Sequence, residues 1–322
     1  MPKTPDSKQE AVPFAFRGRW RALIALAGEQ DRARLLRVLP STVEIETVSP
    51  VDAMAAAQGS GYELIFADLA DADRVLGSHS GTLKAPSCPV VFLTTAQWLE
   101  SNWPDLVRQR VGSFLDIELV EDPVIFEAAV AGTLSGLGFD AKSLFEGCGP
   151  VDVDGIESEQ KRRDAVGRVL GRLQHCDLSP LQLTHSRLVM EEILTNAMRH
   201  ASTARQPNAA DRRNAGGSGH VHQVTLTSVV TPELFAISVI DPAGSLTAEM
   251  VRQAISRQLA GDGDFDSGGR GLFIAYSLSN LVVITVDPGR RTEVSAFFRH
   301  ALPEVHKALI INPNAKTDGS TS

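Results

Sequence analysis

Between residues 21 and 136 the sequence alternates short apolar runs with amphipathic segments, and this alternation narrows the choice of fold more than any other feature. Five runs have the length and apolar character of buried strands: ALIALAG (22–28), VEIETVS (43–49), YELIFADL (62–69), CPVVFLTT (88–95) and SFLDIELV (113–120). The segments between them have helical spacing. Strands and helices in strict alternation predict a parallel sheet with helices on its faces, a doubly wound α/β domain of flavodoxin type over residues 19–137.

The second half orders its elements differently. A segment rich in Gly and Asp, residues 138–157, predicts a linker. Two helices, two strands, a helix, a glycine-rich turn, a further helix and two strands follow it, which predicts an α+β two-layer sandwich over residues 158–303. The polar ends, 1–18 and 304–322, predict a disordered N-terminus and a flexible tail. At 322 residues the chain is long enough for two domains, each with its own core.

Composition excludes several functions. A formal net charge of -8 argues against nucleic-acid binding, which needs clustered Lys and Arg to neutralise phosphates. The three cysteines lie far apart, so neither a zinc site nor a disulfide framework is indicated. No secretion signal and no apolar stretch of membrane-spanning length occurs. We therefore expect a cytoplasmic protein that binds neither nucleic acid nor membrane.

A helix predicted over residues 181–201 carries polar groups at four-residue intervals. At 100° per residue, Glu192, Asn196 and His200 fall within about 80° of one another, at one edge of an apolar arc. Such an edge is where a core helix meets a pocket, although a plain amphipathic helix with a charged flank gives a similar pattern. A carboxylate there can accept a proton, and an amide oxygen one turn away can join a Mg²⁺ shell together with phosphate oxygens.

Two further stretches fit a nucleotide site. The strand LFAISVID ends in Asp241 and a Pro-Ala-Gly turn, which can aim one carboxylate at a donor such as an adenine amino group. Gly268, Gly269 and Gly271 immediately precede a predicted helix, where free N–H groups and the helix dipole receive phosphate. Each signal is weak alone, since a strand-end Asp is often a turn residue and a glycine turn is often only a loop.

Together and in this order, the motifs resemble the GHKL ATPase superfamily, in particular the bacterial anti-sigma-factor serine kinases. The motifs are E-x-x-x-N-A-x-x-H at residues 192–200, the strand-end Asp241, G-G-x-G-L at residues 268–272, and the closing strand RTEV with Thr292. The resemblance covers about residues 160–300. It implies a cytoplasmic signalling ATPase that binds ATP and Mg²⁺ and phosphorylates Ser or Thr of a partner protein.

The resemblance also implies a role for each matching residue. Glu192 is implied as general base, Asn196 as Mg²⁺ ligand, and Asp241 as adenine contact, with Thr292 as a second hydroxyl on the adenine side. The implied nucleotide-binding set is completed by His200, Gly244, Gly268, Gly269, Gly271 and Leu272. For His200 a capping or packing role stays open.

The family usually has glycine two residues after the aspartate, whereas this chain has Ala243 there and Gly244 one position later. Alanine does not freely adopt a positive φ, so the turn is expected to take a different course.

The first half resembles a response-regulator receiver domain. Asp68 ends the third predicted strand, where that family has its phosphoryl-accepting aspartate, and Thr94 or Thr95 ends the fourth. The rest of the site is depleted, because Glu29 and Asp31 match the acidic pair only approximately and the fifth strand ends without lysine. This pattern favours a degenerate receiver used for docking or dimerisation over a phosphorylated one. Asp68 as a solvated strand-end carboxylate is the alternative.

The partner implied by the resemblance is an anti-anti-sigma protein of the STAS type, or a sigma factor that the same surface sequesters, and a homodimer is a further expectation. Two alternatives remain. One is a non-catalytic nucleotide-binding scaffold, which Ala243 favours and Glu192 opposes. The other is a phosphorelay component related to histidine kinases. The helix near residues 158–175 argues against it, because that helix lacks a phosphoacceptor H-E or H-D dipeptide.

Overall fold

The computed structural model of the chain describes eleven segments. They are residues 20–53, 55–56, 61–72, 75, 88–95, 98, 111–134, 141–203, 223–259, 269–301 and 306–313. The expectations for the N-terminus, for Gly268 and for the last nine residues lie outside these segments. None of the helices in the described segments combines the length and apolarity that a bilayer crossing requires.

The five apolar runs of the first half form five parallel strands. They are β1 (Trp20–Ala25), β2 (Val43–Thr47), β3 (Leu64–Asp68), β4 (Val90–Thr94) and β5 (Ser113–Asp116). Their order in the sheet is β2-β1-β3-β4-β5, and every pairing is parallel. The predicted alternation is therefore confirmed for the strands, with each one shorter than its apolar run.

The second half contributes antiparallel strands to the same sheet. They are β6 (Val151–Ile156), β7 (Val224–Val230), β8 (Leu234–Asp241), β9 (Leu281–Asp287) and β10 (Arg291–Arg299). Their order is β9-β10-β8-β7-β6. Thr292 of β10 pairs directly with Asp241 of β8, which brings two of the sequence-derived candidates side by side.

A last strand, β11 (Ala308–Pro313), joins the two halves into one eleven-stranded sheet. It pairs antiparallel with β5 over Ala308–Ile310 and parallel with β9 over its whole length. The apolar sequence ALII explains this position, because Ala308, Leu309, Ile310 and Ile311 are all buried. A strand buried on both faces has a continuous apolar run of this kind.

Helices cover both faces of the sheet. The described helices are α1 (Glu29–Val38), α2 (Pro123–Leu134), α3 (Ala141–Glu146), α4 (Glu159–Leu173), α5 (Pro180–Thr203), α6 (Ala248–Leu259) and α7 (Arg270–Leu278). The helices α1, α2 and α3 pack on one face, and α4, α5, α6 and α7 on the other. Each of the two resulting cores contains residues from both halves of the chain.

Three sequence predictions are corrected here. The expected linker, residues 138–157, contains helix α3 and strand β6, and β6 is the last strand at this edge of the sheet. The expected flexible tail, residues 304–322, contains β11. The expectation of two separate cores is also wrong, because the sheet and both apolar layers run through the whole molecule. The aromatic contact between Phe114 of β5 and Tyr276 of α7, at 6.1 Å between ring centroids, is one direct junction between the halves.

Candidate functional site

Helix α5 carries the polar stripe, and a capping box fixes where that helix begins. The backbone N–H of Gln182 donates to Ser179 Oγ at 3.2 Å, and the N–H of Ser179 donates to Gln182 Oε1 at 2.9 Å. Pro180 takes the first helical position, where no N–H is needed. The helix then buries Ile193, Leu194 and Ala197 against the sheet, as the apolar arc predicted.

The stripe lies at a cavity between α5, α6, α7 and the sheet. Asn196 and His200 line this cavity, which has a volume of about 200 Å³, and both side chains are half-buried. Glu192 does not belong to the described lining; it lies one turn back along α5, beside Gly271. Glu191, which is half-buried, pairs instead with Arg187 at 2.8 Å. Glu191 therefore lies off the edge of α5 that carries Asn196 and His200.

The floor of the cavity is formed by paired strand residues. Asp241 at the end of β8 is 4% exposed, and the paired Thr292 of β10 is 3% exposed. The Thr292 hydroxyl has no hydrogen-bond partner within the described part of the chain, although its oxygen is buried. A buried hydroxyl without a partner costs free energy, so its position in the cavity wall suits a ligand that supplies the missing hydrogen bond.

The turn after Asp241 holds that carboxylate in place. The N–H of Ala243 donates to Asp241 Oδ1 at 2.9 Å, and the Ser245 hydroxyl donates to Oδ2 at 3.0 Å. Gly244 has a φ of +58°. A methyl group at Gly244 would collide with the backbone of the β9–β10 turn, including the Asp287 carbonyl oxygen at 2.5 Å. The glycine one position later than in the resembled family thus makes the left-handed turn.

Helix α7 begins at the other end of the cavity, beside the stripe. Gly269 precedes its first residue with a φ of +103° and, as a glycine, supplies no side-chain cap to the N–H groups of the first turn. A methyl group at Gly271 would overlap the side-chain nitrogen of Asn196 and lie 3.2 Å from Glu192 Oε2. Only glycine allows α7 to approach α5 this closely. The structure therefore brings the carboxylate, the amide and a positive helix end together.

Several residues of this cavity were missed by the sequence analysis. They are Arg199, Ser245, Leu246, Met250, Gln253, Ala254 and Arg257, which line the cavity together with the expected Gly269 and Leu272. Most lie on α6, and nothing in the spacing of α6 distinguishes its cavity side from an ordinary amphipathic face. Ser245 had a local signal, because a hydroxyl four residues after a strand-end aspartate can close the turn. Gly268 lies outside the described residues.

The comparisons with known proteins bear on this half of the molecule. Residues 156–296 match the histidine kinase-like ATPase domain family. The matched segment is less than half of the 322-residue chain and contains α5, the Asp241 turn, α7 and most of β10. This match implies ATP binding, usually with Mg²⁺, by the C-terminal half. No curated protein matches the chain in sequence.

Among solved structures the chain is similar to one titled "The crystal structure of SiaB-SiaC complex from Pseudomonas aeruginosa". The identity is 13% and the TM-score 0.32, over 46% of this chain and 88% of that one. A likeness of this strength says nothing about function.

A second pocket lies around Asp68 in the first half. The backbone N–H of Ala27 donates to Asp68 Oδ2 at 2.7 Å, and Asp31, Asp71, Thr94 and Thr95 line the same pocket. Burial raises the pKa of Asp68, against the hydrogen bond from Ala27, and the nearby Asp71 raises it further. Of the two acids proposed after β1, only Asp31 lines the pocket, while Glu29 does not.

The last residue of β5 gives this pocket an acidic neighbour. Asp116 is 1% exposed and accepts hydrogen bonds from the Glu118 N–H at 3.0 Å and from His306 Nδ1 at 3.1 Å. Ile117, the next residue, lines the pocket. Within the described ranges no group of three or more His, Cys, Asp or Glu side chains is arranged to hold a metal ion.

Proposed function

We propose that residues 156–296 bind Mg-ATP in the cavity between α5, α6, α7 and the sheet. The observation that carries this proposal is the contact of Gly271 with both Asn196 and Glu192, at the helix end that faces the cavity. Two motifs that lie far apart in the sequence, E-x-x-x-N-A-x-x-H and G-G-x-G-L, meet there only in the fold. The unpartnered Thr292 hydroxyl and the oriented Asp241 carboxylate, at the floor of the cavity, support a base-binding end for the same ligand.

The proposed roles follow from this arrangement. Asp241 accepts a hydrogen bond from the adenine amino group, and Thr292 bonds the same base. Asn196 holds Mg²⁺ through its amide oxygen, while Gly269 and Gly271 let the first turn of α7 approach the phosphates. The remaining contacts are assigned to His200 on the phosphate side, Leu272 in the wall and Gly244 in the turn, with Gly268 as an expected member of the phosphate-covering loop.

We further propose that the site transfers phosphate to a serine or threonine of a partner protein. Mg-ATP would supply the transferable phosphoryl group. We assign the Glu192 carboxylate to accept the proton of the attacking hydroxyl, and its position one turn before Asn196 on α5, beside Gly271, supports this role. A partner of the anti-anti-sigma STAS type, or a sigma factor, is proposed from the motif resemblance, and a pulldown that recovers neither would contradict it.

Two variants of α5 test binding and catalysis separately. Asn196→Ala should abolish the Mg-ATP-dependent rise in melting temperature, whereas the exposed neighbour Thr195→Ala should keep it. Glu192→Ala should keep the shift but lose ADP formation by at least about a hundredfold, as expected for a general base. A wild-type chain that shows no shift would overturn ATP binding. A Glu192→Ala variant with unchanged ADP formation would show that Glu192 is not the general base.

For the first half we propose a receiver-like module that docks a partner or a second copy. The strand order β2-β1-β3-β4-β5 is that of flavodoxin-type sheets, which supports the receiver resemblance. The end of β5 carries Asp116 where a receiver needs a lysine, and this argues against phosphoryl transfer to Asp68, because a cation there would stabilise the developing charge. Incubation with a small phosphoryl donor should leave Asp68 unmodified; a phosphorylated Asp68 would overturn the docking role.

A further inference from the structure

The segment before β11 contacts both halves of the molecule at Lys307. The Lys307 ammonium donates to the carbonyl oxygens of Ser277 at 2.7 Å and Ser279 at 3.0 Å, at the C-terminal end of α7. The backbone carbonyl of Lys307 accepts from the N–H of Asp116, the last residue of β5, at 2.9 Å. Lys307 is half-buried. Lys307 thus connects the C-terminal end of α7 to the place where β5 and β11 join the two half-sheets.

The helix that Lys307 caps is the one whose other end faces the cavity. Helix α7 has nine residues and therefore spans about 13 Å. Its last carbonyls have no partners within the helix, and a cation there also interacts favourably with the helix dipole. The site at its first turn leaves little room for movement, because a methyl group at Gly271 would already overlap Asn196.

We infer that Lys307 is a positioning residue for the phosphate end of the nucleotide, an inference that rests on the proposed ATP site. By holding the C-terminal end of α7 against the β5–β11 junction, it fixes how far the first turn of α7 reaches towards Asn196 and Glu192. Lys307 lies outside the segment that matches the ATPase family, which ends at residue 296. The contact of Lys307 with α7 therefore comes from the segment that joins the two half-sheets, not from the part of the chain that matches the ATPase family.

This role predicts a selective effect on ligands. The base end of the cavity is built from β8 and β10, whose pairing places Asp241 beside Thr292. The phosphate end is built from α7. Loss of the Lys307 cap should therefore weaken ligands that carry phosphates and spare adenosine.

The test is calorimetric titration of the full chain with Mg-ATP, Mg-ADP and adenosine. Lys307→Met keeps the alkyl stem but removes the donors and the charge, and it should weaken Mg-ATP and Mg-ADP about five- to tenfold. Adenosine affinity should stay within about twofold. Lys307→Arg, which keeps the charge and the donors, should retain most of the wild-type affinity for Mg-ATP and Mg-ADP. Lys161→Met removes an exposed lysine of α4 that pairs with Glu157, and it serves as the matched control.

Unchanged Mg-ATP affinity in Lys307→Met would overturn the inference, and so would an equal loss of adenosine affinity, which would indicate general loosening of the fold. Melting temperatures of all variants are measured alongside. If Lys307→Met does not fold, Lys307→Gln, which keeps one hydrogen-bond donor, gives the same comparison of ATP with adenosine. A wild-type chain that binds none of the three ligands would instead refute the proposed function.

Discussion

At the scale of single residues, the site depends on a glycine that lets two helices touch. Gly271→Ala should be tolerated by helix α7 itself, since alanine is favoured over glycine in a helix by about 1 kcal/mol. The added methyl group must displace Asn196 and crowd Glu192, so Mg-ATP affinity should fall about tenfold or more.

The control for this substitution is Gly167→Ala in helix α4. A methyl group there has no atom within 4 Å, so this variant should gain stability and keep full ATP affinity. Affinities are measured by titration and stabilities by thermal unfolding. Equal ATP affinity in both variants would show that Asn196 and Glu192 do not need their present positions.

Asp68 gives a prediction about pH. Burial raises its pKa above the ordinary value of 3.8, so the folded state keeps this proton to a higher pH than the unfolded state. The contribution of Asp68 to the free energy of unfolding therefore falls as pH rises from about 3.8 through the raised pKa, and it stays unfavourable above that.

Asp68→Asn should accordingly be more stable than the wild type at pH 7, with the difference vanishing below about pH 3.5. Asparagine can still accept the hydrogen bond from Ala27. Urea unfolding at several pH values measures the difference, with the exposed Asp177→Asn as control. Greater stability of the wild type at pH 7 would mean that Asp68 has a stabilising partner.

At the scale of elements, β11 holds the two half-sheets together. Ile310 of this strand is fully buried and pairs with both Ser113 and Val283. Ile310→Ala should lower the free energy of unfolding by about 2–5 kcal/mol, the usual cost of removing a large side chain from a core. The exposed Leu36→Ala in α1 should cost far less. Denaturant unfolding measures both variants. If Ile310→Ala lowers the free energy of unfolding as little as Leu36→Ala does, β11 is a peripheral strand that does not hold the half-sheets together.

The element scale also shows what could be predicted from sequence. Strands β1, β3 and β4 were predictable because apolar runs of strand length are buried on both sides. The polar edge of α5 was predictable because helical periodicity places Glu192, Asn196 and His200 together. Strand β11 was not predicted, because its four apolar residues stand in a polar tail and only their pairing with β5 and β9 gives them a place.

At the scale of the whole molecule, one sheet and two shared cores replace the two independent domains expected from the change in element order. The sequence changes from alternating to segregated elements near residue 138, and that change is real. Sequence pattern cannot show that two sheets share an edge, since the joining strand lies nearly two hundred residues after β5. Helix α3 and strand β6 were not predicted either, because the Gly- and Asp-rich sequence around them is typical of a loop.

The central claim is that the cavity binds ATP with its base at Asp241. Titration of the wild type and of Asp241→Asn with Mg-ATP and Mg-GTP tests it most directly. The wild type should bind Mg-ATP at least about tenfold more tightly than Mg-GTP, because a buried carboxylate accepts from the adenine amino group and repels a carbonyl. Asp241→Asn, which keeps one acceptor for the turn, should lose most of that affinity and preference. Equal Mg-ATP affinity in the two proteins, or no binding by the wild type, would contradict the account.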